Sequence, residues 1–157
     1  MTLKEKIKKD SQAALKKKEE LKTSVLRMIL SSILNKEKEK KYKLKEEKDT
    51  LLTDEEILEV ISSEAKKRRE AAELYEKGGR GELAKKEKME IEILQKYLPE
   101  QLSAQDLGNL VKEAVKKAGA KERKDMGKVM AILMPQVKGR ADGNLISQIV
   151  KESLGHG

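Results

Sequence analysis

The sequence predicts an all-α protein, and three observations support this. Charged residues make up 41% of the chain, an excess typical of long solvated helix faces. Only two prolines and ten glycines punctuate 157 residues, too few for the many short strands of a β-sandwich or barrel. Apolar residues recur at three- and four-residue spacing, the period of an amphipathic helix. We expect two helical subdomains: residues 1–99, with longer helices, and residues 100–157, a compact three-helix bundle.

The first half begins with a basic helix in which Leu3, Ile7 and Ala14 form a narrow apolar stripe. Residues 21–33 are the most apolar stretch of this half and predict a second amphipathic helix. Residues 36–48 carry mixed charge with little apolar periodicity, and they predict either a solvated helix extension or a loop that frays. The inward face of the second helix is assigned to Leu21, Val25, Met28, Ile29, Ser32 and Ile33.

A third helix is predicted to begin after Thr53, because Thr53 and Glu56 have the spacing of a capping box. It is expected to end at Gly78-Gly79, where glycine accepts a left-handed cap at little cost. Arg68 lies within its apolar stripe, and it either pairs across to another helix or lines a working groove. The rest of that stripe is Ile57, Ile61, Ala65, Ala72 and Tyr75.

A fourth helix is predicted over residues 80–98, ended by Pro99. Its inward residues are expected to be Leu83, Ile91, Leu94 and Leu98.

Charge density falls sharply beyond Leu98-Pro99-Glu100, which marks the predicted boundary between the subdomains. Three helices follow. Ser103 begins the first and Gly119 ends it, Pro135 stops the second, and Asp142 caps the third. Their inward residues are expected to be Leu107, Leu110, Val111, Ala114 and Val115, then Met126, Val129, Met130 and Leu133, then Leu145, Ile149 and Leu154.

The composition excludes several kinds of chemistry. The chain has no cysteine, and its single histidine is His156, so disulfides, thiolate metal sites and a pocket histidine base are ruled out. We find no nucleophile with its base and no metal-ligand cluster, and we expect no catalytic residue, no metal and no cofactor. A long apolar run and a signal-peptide core are also missing from the sequence, so a cytoplasmic protein without membrane contact is expected.

The net charge of +8 is concentrated in two segments. Residues 1–18 hold seven lysines against Glu5 and Asp10, and residues 121–140 hold six basic residues against Glu122 and Asp125. Such segments attract polyanions, nucleic acid first and an anionic membrane surface second. A surface that serves only solubility is the alternative interpretation.

Residues 138–143, KGRADG, form the most informative basic motif, with Lys138 and Arg140 flanking a glycine just before a predicted helix start. Helix N-termini and exposed backbone amides suit phosphate oxygens. Lys124 and Lys128 precede this motif and extend the basic patch. A plain helix–helix loop is the alternative.

Two further arginines are candidates in the first half. Arg68 belongs to the run Lys66-Lys67-Arg68-Arg69, although acidic residues four positions away on either side predict helix-surface ion pairs for much of that run. Arg80 lies in the turn GGRG, which lacks the strand and the Lys-Ser/Thr of a phosphate loop but could bring one cation to a phosphate. Met126, Met130 and Met134, spaced by four, indicate either core packing or an adaptable protein-binding groove.

Several motifs together resemble the GatB/YqeY family, and the sequence is closest to its stand-alone YqeY-like members. The match covers nearly the whole chain, and the motifs are specific as an ordered set. They are RMIL (27–30), KRRE (67–70), YEKGGR (75–80), YLPEQL (97–102), KDMGKVM (124–130) and KGRADG (138–143).

This resemblance implies two all-helical subdomains similar to the tail of the GatB subunit of tRNA-dependent amidotransferases, in which the tail recognises the charged tRNA. The residues that carry over best are Gly127-Lys128-Val129-Met130 and Lys138-Gly139-Arg140. The family label of a carbon–nitrogen ligase with glutamine as amido-N-donor describes the relatives. This chain lacks the kinase-like cradle domain, the zinc cysteines and the Ser/Lys amidase signature of that chemistry.

The leading hypothesis is an RNA-binding helical module, for tRNA above other structured RNAs, that is an accessory to an amidotransferase or another tRNA-linked enzyme and is not catalytic alone. The alternative is a protein–protein adaptor that docks an enzyme partner through the methionine face or the groove at Arg68. A third possibility, an amidotransferase subunit in its own right, lacks a candidate nucleophile. Under the leading hypothesis, the predicted RNA-binding residues are Lys124, Lys128, Lys138, Arg140, Arg68 and Arg80.

Overall fold

A computed structural model describes residues 1–155. The described chain contains seven α-helices and one short 3₁₀ turn, with no β-strand, which confirms the predicted all-α class. Backbone contacts divide the protein into two compact units, Met1–Leu98 and Pro99–Gly157. His156 lies outside the described residues.

The first unit contains four helices: α1 (Leu3–Lys16), α2 (Glu20–Leu44), α3 (Asp54–Lys77) and α4 (Gly81–Gln95). Capping boxes begin two of them. The Thr2 hydroxyl accepts a hydrogen bond from the Glu5 amide at the start of α1, and the Thr53 hydroxyl accepts one from the Glu56 amide at the start of α3. The predicted cap at Thr53 is confirmed. The core of this unit is formed by Ile7, Val25, Leu26, Ile29, Ile33, Ile57, Ile61, Ala65 and Leu94.

The mixed-charge segment after residue 36 is a helix extension rather than a loop. Helix α2 continues to Leu44 and ends at Lys45, whose φ of 54° is left-handed. One residue of this segment departs from the predicted solvated character. Glu37 is buried, and two hydrogen bonds to its carboxylate compensate for the lost hydration. The Lys4 ammonium donates one at 2.6 Å and the Leu52 amide donates the other at 3.1 Å.

Helices α3 and α4 are joined at the predicted glycine turn, in which Gly79 has a φ of 73°. Two details of α4 differ from the prediction. It ends at Gln95 rather than near Leu98, and Leu83 is exposed while Ala84 is buried. The reason for the second is helical phase, because Ala84 precedes the buried Ile91 by seven residues and therefore shares its face.

The second unit contains α5 (Ala104–Ala118), a 3₁₀ turn (Arg123–Asp125), α6 (Met126–Val137) and α7 (Gly143–Leu154). Ser103 caps α5 by accepting a hydrogen bond from the Asp106 amide, and Gly119, at φ 63°, ends it as predicted. The core of this unit is formed by Leu107, Val111, Ala114, Val129, Leu133, Val137, Ile146, Val150 and Leu154.

Two predictions for the second unit are wrong. Pro135 does not stop α6, which continues to Val137, because a proline in the last turn removes a single backbone hydrogen bond while the extra turn buries Val137 completely. Leu145 is exposed, and Ile146 takes the inward position instead. Ile146 lies four and eight residues before Val150 and Leu154, which continue the buried stripe of α7.

Candidate nucleic-acid interface

The start of α6 carries two of the predicted cations. Lys124 lies in the 3₁₀ turn and Lys128 lies in the first turn of α6, and both are exposed. The Lys124 ammonium lies 3.2 Å from a Glu122 carboxylate oxygen, but 78% of the Lys124 side chain is exposed. Ion pairs this exposed contribute little free energy, so Lys124 can exchange its partner for a phosphate at small cost.

Asp125 organises the backbone beneath these two lysines. Its carboxylate accepts hydrogen bonds from the amides of Lys121 at 3.1 Å and Glu122 at 3.3 Å. These two bonds, with help from the charges of Lys128 and Lys124, lower the pKa of Asp125 below its usual value.

Acid is expected to loosen this turn. Because the pKa of Asp125 is lowered in the folded protein, its stabilising contribution is complete above the unfolded pKa of about 3.9 and is lost as the pH falls through the lower folded value. The protection of the Lys121 and Glu122 amides against hydrogen exchange, measured relative to their intrinsic exchange rates, should therefore fall below about pH 4. D125N should show faster exchange already at neutral pH. Equal protection of these amides in D125N and the wild type would contradict this role.

The end of α6 carries the other two predicted cations of this unit. Lys138 follows the helix and is exposed, and Arg140 is half-buried in the loop that leads to α7. The Arg140 guanidinium donates hydrogen bonds from Nε to the Glu100 carbonyl at 3.3 Å and from Nη1 to the Gln136 carbonyl at 3.2 Å. Arg140 therefore holds the loop in place in addition to carrying charge.

Further bonds fix the same loop. The Leu102 amide donates to the Arg140 carbonyl at 2.8 Å, and the Gln101 side-chain amide donates to the Gly139 carbonyl at 3.0 Å. Gly139 has a φ of 76°, which a residue with a side chain adopts only at a cost. The loop thus presents Lys138 and Arg140 from a backbone with several fixed points.

The start of α7 differs from what the motif KGRADG suggested. The Asp142 carboxylate accepts a hydrogen bond from the Asn144 amide at 2.8 Å and caps this helix. A negative group therefore already occupies the helix end that was expected to suit a phosphate. The amides of this helix start are therefore a poorer phosphate site than the sequence indicated.

The four predicted RNA-binding cations of this unit form two pairs at opposite ends of α6. Lys128 and Lys138 are ten residues apart, which corresponds to about 15 Å along the helix axis. The two pairs are therefore separated along α6, with Lys124 and Lys128 at one end and Lys138 and Arg140 at the other, and we call these four residues the basic edge of α6.

The two predicted arginines of the first unit have different surroundings. Arg80 is exposed in the turn between α3 and α4. Arg68 is buried on α3, where its Nη1 donates to a Glu64 carboxylate oxygen at 2.9 Å and its Nε lies 3.4 Å from a Glu90 carboxylate oxygen on α4. Of the two alternatives for Arg68, pairing across to another helix is confirmed. Its assignment to RNA binding stays a prediction.

The surroundings of Arg68 include residues that sequence reasoning missed. Arg68 Nη2 lies 3.4 Å from the Met28 sulfur, a weak hydrogen-bond acceptor. Its Nε forms an ion pair with the Glu90 carboxylate but donates no hydrogen bond. Burial, together with the neighbouring Glu90 charge, raises the pKa of Glu87, which lies beside this cluster. Acidic residues of α3 and α4 thus converge on one arginine.

The methionines of α6 belong to the core of the second unit. Met126, Met130 and Met134 are partly buried and pack against its central cluster. The core interpretation of their four-residue spacing is confirmed.

The structure is therefore that of a small helical protein in which four predicted RNA-binding cations lie at the two ends of α6. A family model described as YqeY-like protein matches residues 4–154. The chain therefore belongs to the YqeY-like family, and the GatB-tail resemblance is consistent with this.

A relative from Candida glabrata, named altered inheritance of mitochondria protein 41, mitochondrial, is 28% identical over 149 residues. The alignment covers 94% of this chain and 75% of the relative. In residues 1–155, no helix has the length and apolar character needed to cross a membrane.

Proposed function

We propose that this protein binds structured RNA, tRNA in particular, through the basic edge of α6. The observation that carries the proposal is the set of four cations at the two ends of one helix: Lys124, Lys128, Lys138 and Arg140. Membership of the YqeY-like family and the resemblance to the GatB tail support tRNA as the ligand.

The chemistry of this edge suits a sugar–phosphate backbone better than base edges. Lysine ammonium groups act as point charges for phosphate, and their contacts position a nucleic acid without reading its sequence. The second unit contains no Phe, Tyr or Trp, so base stacking on such rings is not what holds an RNA there. Recognition at this edge would therefore depend on the shape of the RNA and on the spacing of its phosphates.

The same proposal assigns the protein an accessory role beside an amidotransferase or another tRNA-linked enzyme, in the cytoplasm. Catalysis by this chain alone is not part of the proposal. The name of the relative describes that protein as mitochondrial, so the cellular location is a separate question for localisation by microscopy.

Three substitutions test the basic edge. K124Q/K128Q/K138Q should weaken binding of tRNA on the order of tenfold or more at low salt. The reason is that each lost phosphate contact lowers the number of counterions that binding releases. The slope of log affinity against log salt should become flatter by roughly two to three units. Fluorescence anisotropy of labelled tRNA, titrated with protein at several salt concentrations, measures both quantities.

The control removes charge elsewhere in the same unit. Lys112 and Lys116 are exposed on α5, and K112Q/K116Q should leave the tRNA affinity close to that of the wild type. Arg140 is left out of these variants, because its replacement would also break its bonds to the Glu100 and Gln136 carbonyls. Equal losses in the triple variant and in the α5 control would overturn the assignment of the edge.

The partial burial of the α6 methionines against the core and the burial of Arg68 favour RNA binding over the adaptor alternative. A pull-down from lysate with and without nuclease still separates the two functions. Protein partners that persist after nuclease treatment, together with a wild type that does not bind tRNA, would favour an adaptor.

A further inference from the structure

The last two turns of α2 extend beyond the core of the first unit. Glu37 is the last buried residue of this helix, and none of residues 38–44 is buried. A helix extension that buries no apolar residue adds little to packing, so its composition is free to serve another purpose. We call the surface formed by Lys38, Tyr42, Lys43 and Lys45 the α2 tip.

Tyr42 is the central residue of the α2 tip and is 86% exposed. The other two tyrosines of the protein are used in the fold. Tyr97 is half-buried and donates a hydrogen bond to the Asp10 carboxylate at 2.5 Å, and Tyr75 is also half-buried on α3. In a chain without Phe or Trp, the α2 tip thus displays the one aromatic ring that is left open to solvent.

The lysines around Tyr42 differ from their neighbours. Lys40 pairs with Glu56, and Lys41 pairs with Asp49. Lys38, Lys43 and Lys45 have no ion pair or hydrogen bond to a side chain anywhere in residues 1–155.

The positions of these residues bring charge and ring together. Lys38 precedes Tyr42 by four residues on α2, so these two side chains share one face of the helix end. They line one open surface depression together with Lys41, Lys43, Lys45 and Glu46.

We propose that the α2 tip binds unpaired nucleotides of an RNA. A base stacks on the Tyr42 ring, and Lys38, Lys43 and Lys45 contact the phosphates on either side. Proteins that hold single strands combine an exposed aromatic ring with surrounding cations in this way. The inference takes RNA as the ligand from the proposed function, but it uses residues that the α6 edge does not include.

The composition of the α2 tip favours RNA over a membrane surface or an apolar protein. Apart from Tyr42, the tip has one exposed apolar neighbour, Leu44, whereas helices that lie on membranes display a continuous apolar face. A single base needs one ring face and nearby cations, which is what the tip provides.

The Y42W variant provides a direct test, because its indole would be the single tryptophan of the protein. A short unpaired oligoribonucleotide should quench the indole emission as the base stacks, while a blunt duplex of the same sequence should not. Affinity for the oligonucleotide should be retained in Y42F and fall roughly tenfold in Y42A. K38Q/K43Q should also weaken binding and flatten its salt dependence by about one to two units.

Matched variants distinguish this site from a general effect. L74A removes another exposed side chain, 70% exposed on α3, and K77Q/K85Q removes two exposed lysines of the same unit. Neither should change oligonucleotide binding. The inference is overturned if Y42A binds as the wild type does, or if anionic vesicles of phosphatidylserine and phosphatidylcholine shift the Y42W emission while RNA does not.

The two RNA proposals can fail separately. If K124Q/K128Q/K138Q loses tRNA while Y42A keeps both tRNA and the oligonucleotide, the α6 edge stands and the α2 tip does not. If the oligonucleotide quenches the Y42W indole but K124Q/K128Q/K138Q binds tRNA normally, the α2 tip stands and the α6 edge does not.

Discussion

Replacing Arg68 by alanine is expected to lower the free energy of unfolding of the first unit by about 3 kcal/mol, the largest effect of any single substitution considered for this protein. The Arg68 side chain is only 8% exposed, and those of its partners Glu64 and Glu90 are 17% and 14% exposed. Removing the arginine takes away the buried cation between these carboxylates, and the exposed Lys67, 3.6 Å from Glu64, compensates only in part. Glu87, whose pKa is already raised beside Glu90, adds to the repulsion.

The three tyrosines make this measurement specific to one unit. Tyr42, Tyr75 and Tyr97 all lie in residues 1–98, so tyrosine fluorescence during urea unfolding reports the first unit alone. R69A is the matched control, because Arg69 is the exposed neighbour on α3 and its loss should cost less than about 0.5 kcal/mol. R68M keeps the apolar stem of the side chain, so its loss of unfolding free energy should lie between those of R68A and R69A. Similar stabilities of R68A and R69A would contradict a structural role for Arg68.

Replacing Glu37 by alanine is expected to lower the stability of the same unit by about 2 kcal/mol. The substitution leaves the Leu52 amide without its acceptor and the Lys4 ammonium without its partner. Because Lys4 is 22% exposed, water recovers part of its solvation, and the expected loss is smaller than at Arg68.

Two variants separate the contributions of Glu37. E37Q can still accept the Leu52 hydrogen bond but loses the ion pair, so it should cost less than E37A. Glu39, two residues further along α2, is exposed and pairs with Lys36 on the surface, and E39A should be close to neutral. If E37A and E39A unfold at the same urea concentration, Glu37 does not tie α1 and the Leu52 segment to α2.

Local signals in the sequence predicted most of the helices. Caps at Thr53 and Ser103 and glycines at 79 and 119 depend on residues only a few positions apart, and the structure has each helix end where these signals indicated. The errors at Leu83 and Leu145 are errors of phase. In each case two adjacent residues were both plausible, and the position of the neighbouring helices decided which of them was buried.

The buried charges could not have been predicted by the same reasoning. Glu37 stands in a run of alternating Lys and Glu that looks uniformly solvated, and its partners lie 33 and 15 residues away. Arg68 had one signal, its place within an apolar stripe, but its partner Glu90 lies on another helix. Interactions between distant segments are set by tertiary packing, which the spacing within one helix does not encode.

The sequence predicted which residues belong to the candidate interface, but it did not predict their geometry. The excess of basic residues over 121–140 identified Lys124, Lys128, Lys138 and Arg140. They lie in pairs at the two ends of α6, which continues past Pro135 to Val137. The structural bonds of Arg140 to two backbone carbonyls had no sequence signal.

The central claim, that this protein binds tRNA, is tested most directly by titrating purified protein against bulk tRNA at about 50 mM and about 200 mM salt, with duplex DNA of equal charge as the competitor. The claim predicts micromolar or tighter binding at the lower salt concentration, a steep loss at the higher one and a preference for tRNA over the duplex. The absence of binding at low salt would contradict it and would mean that the charge of +8 serves solubility.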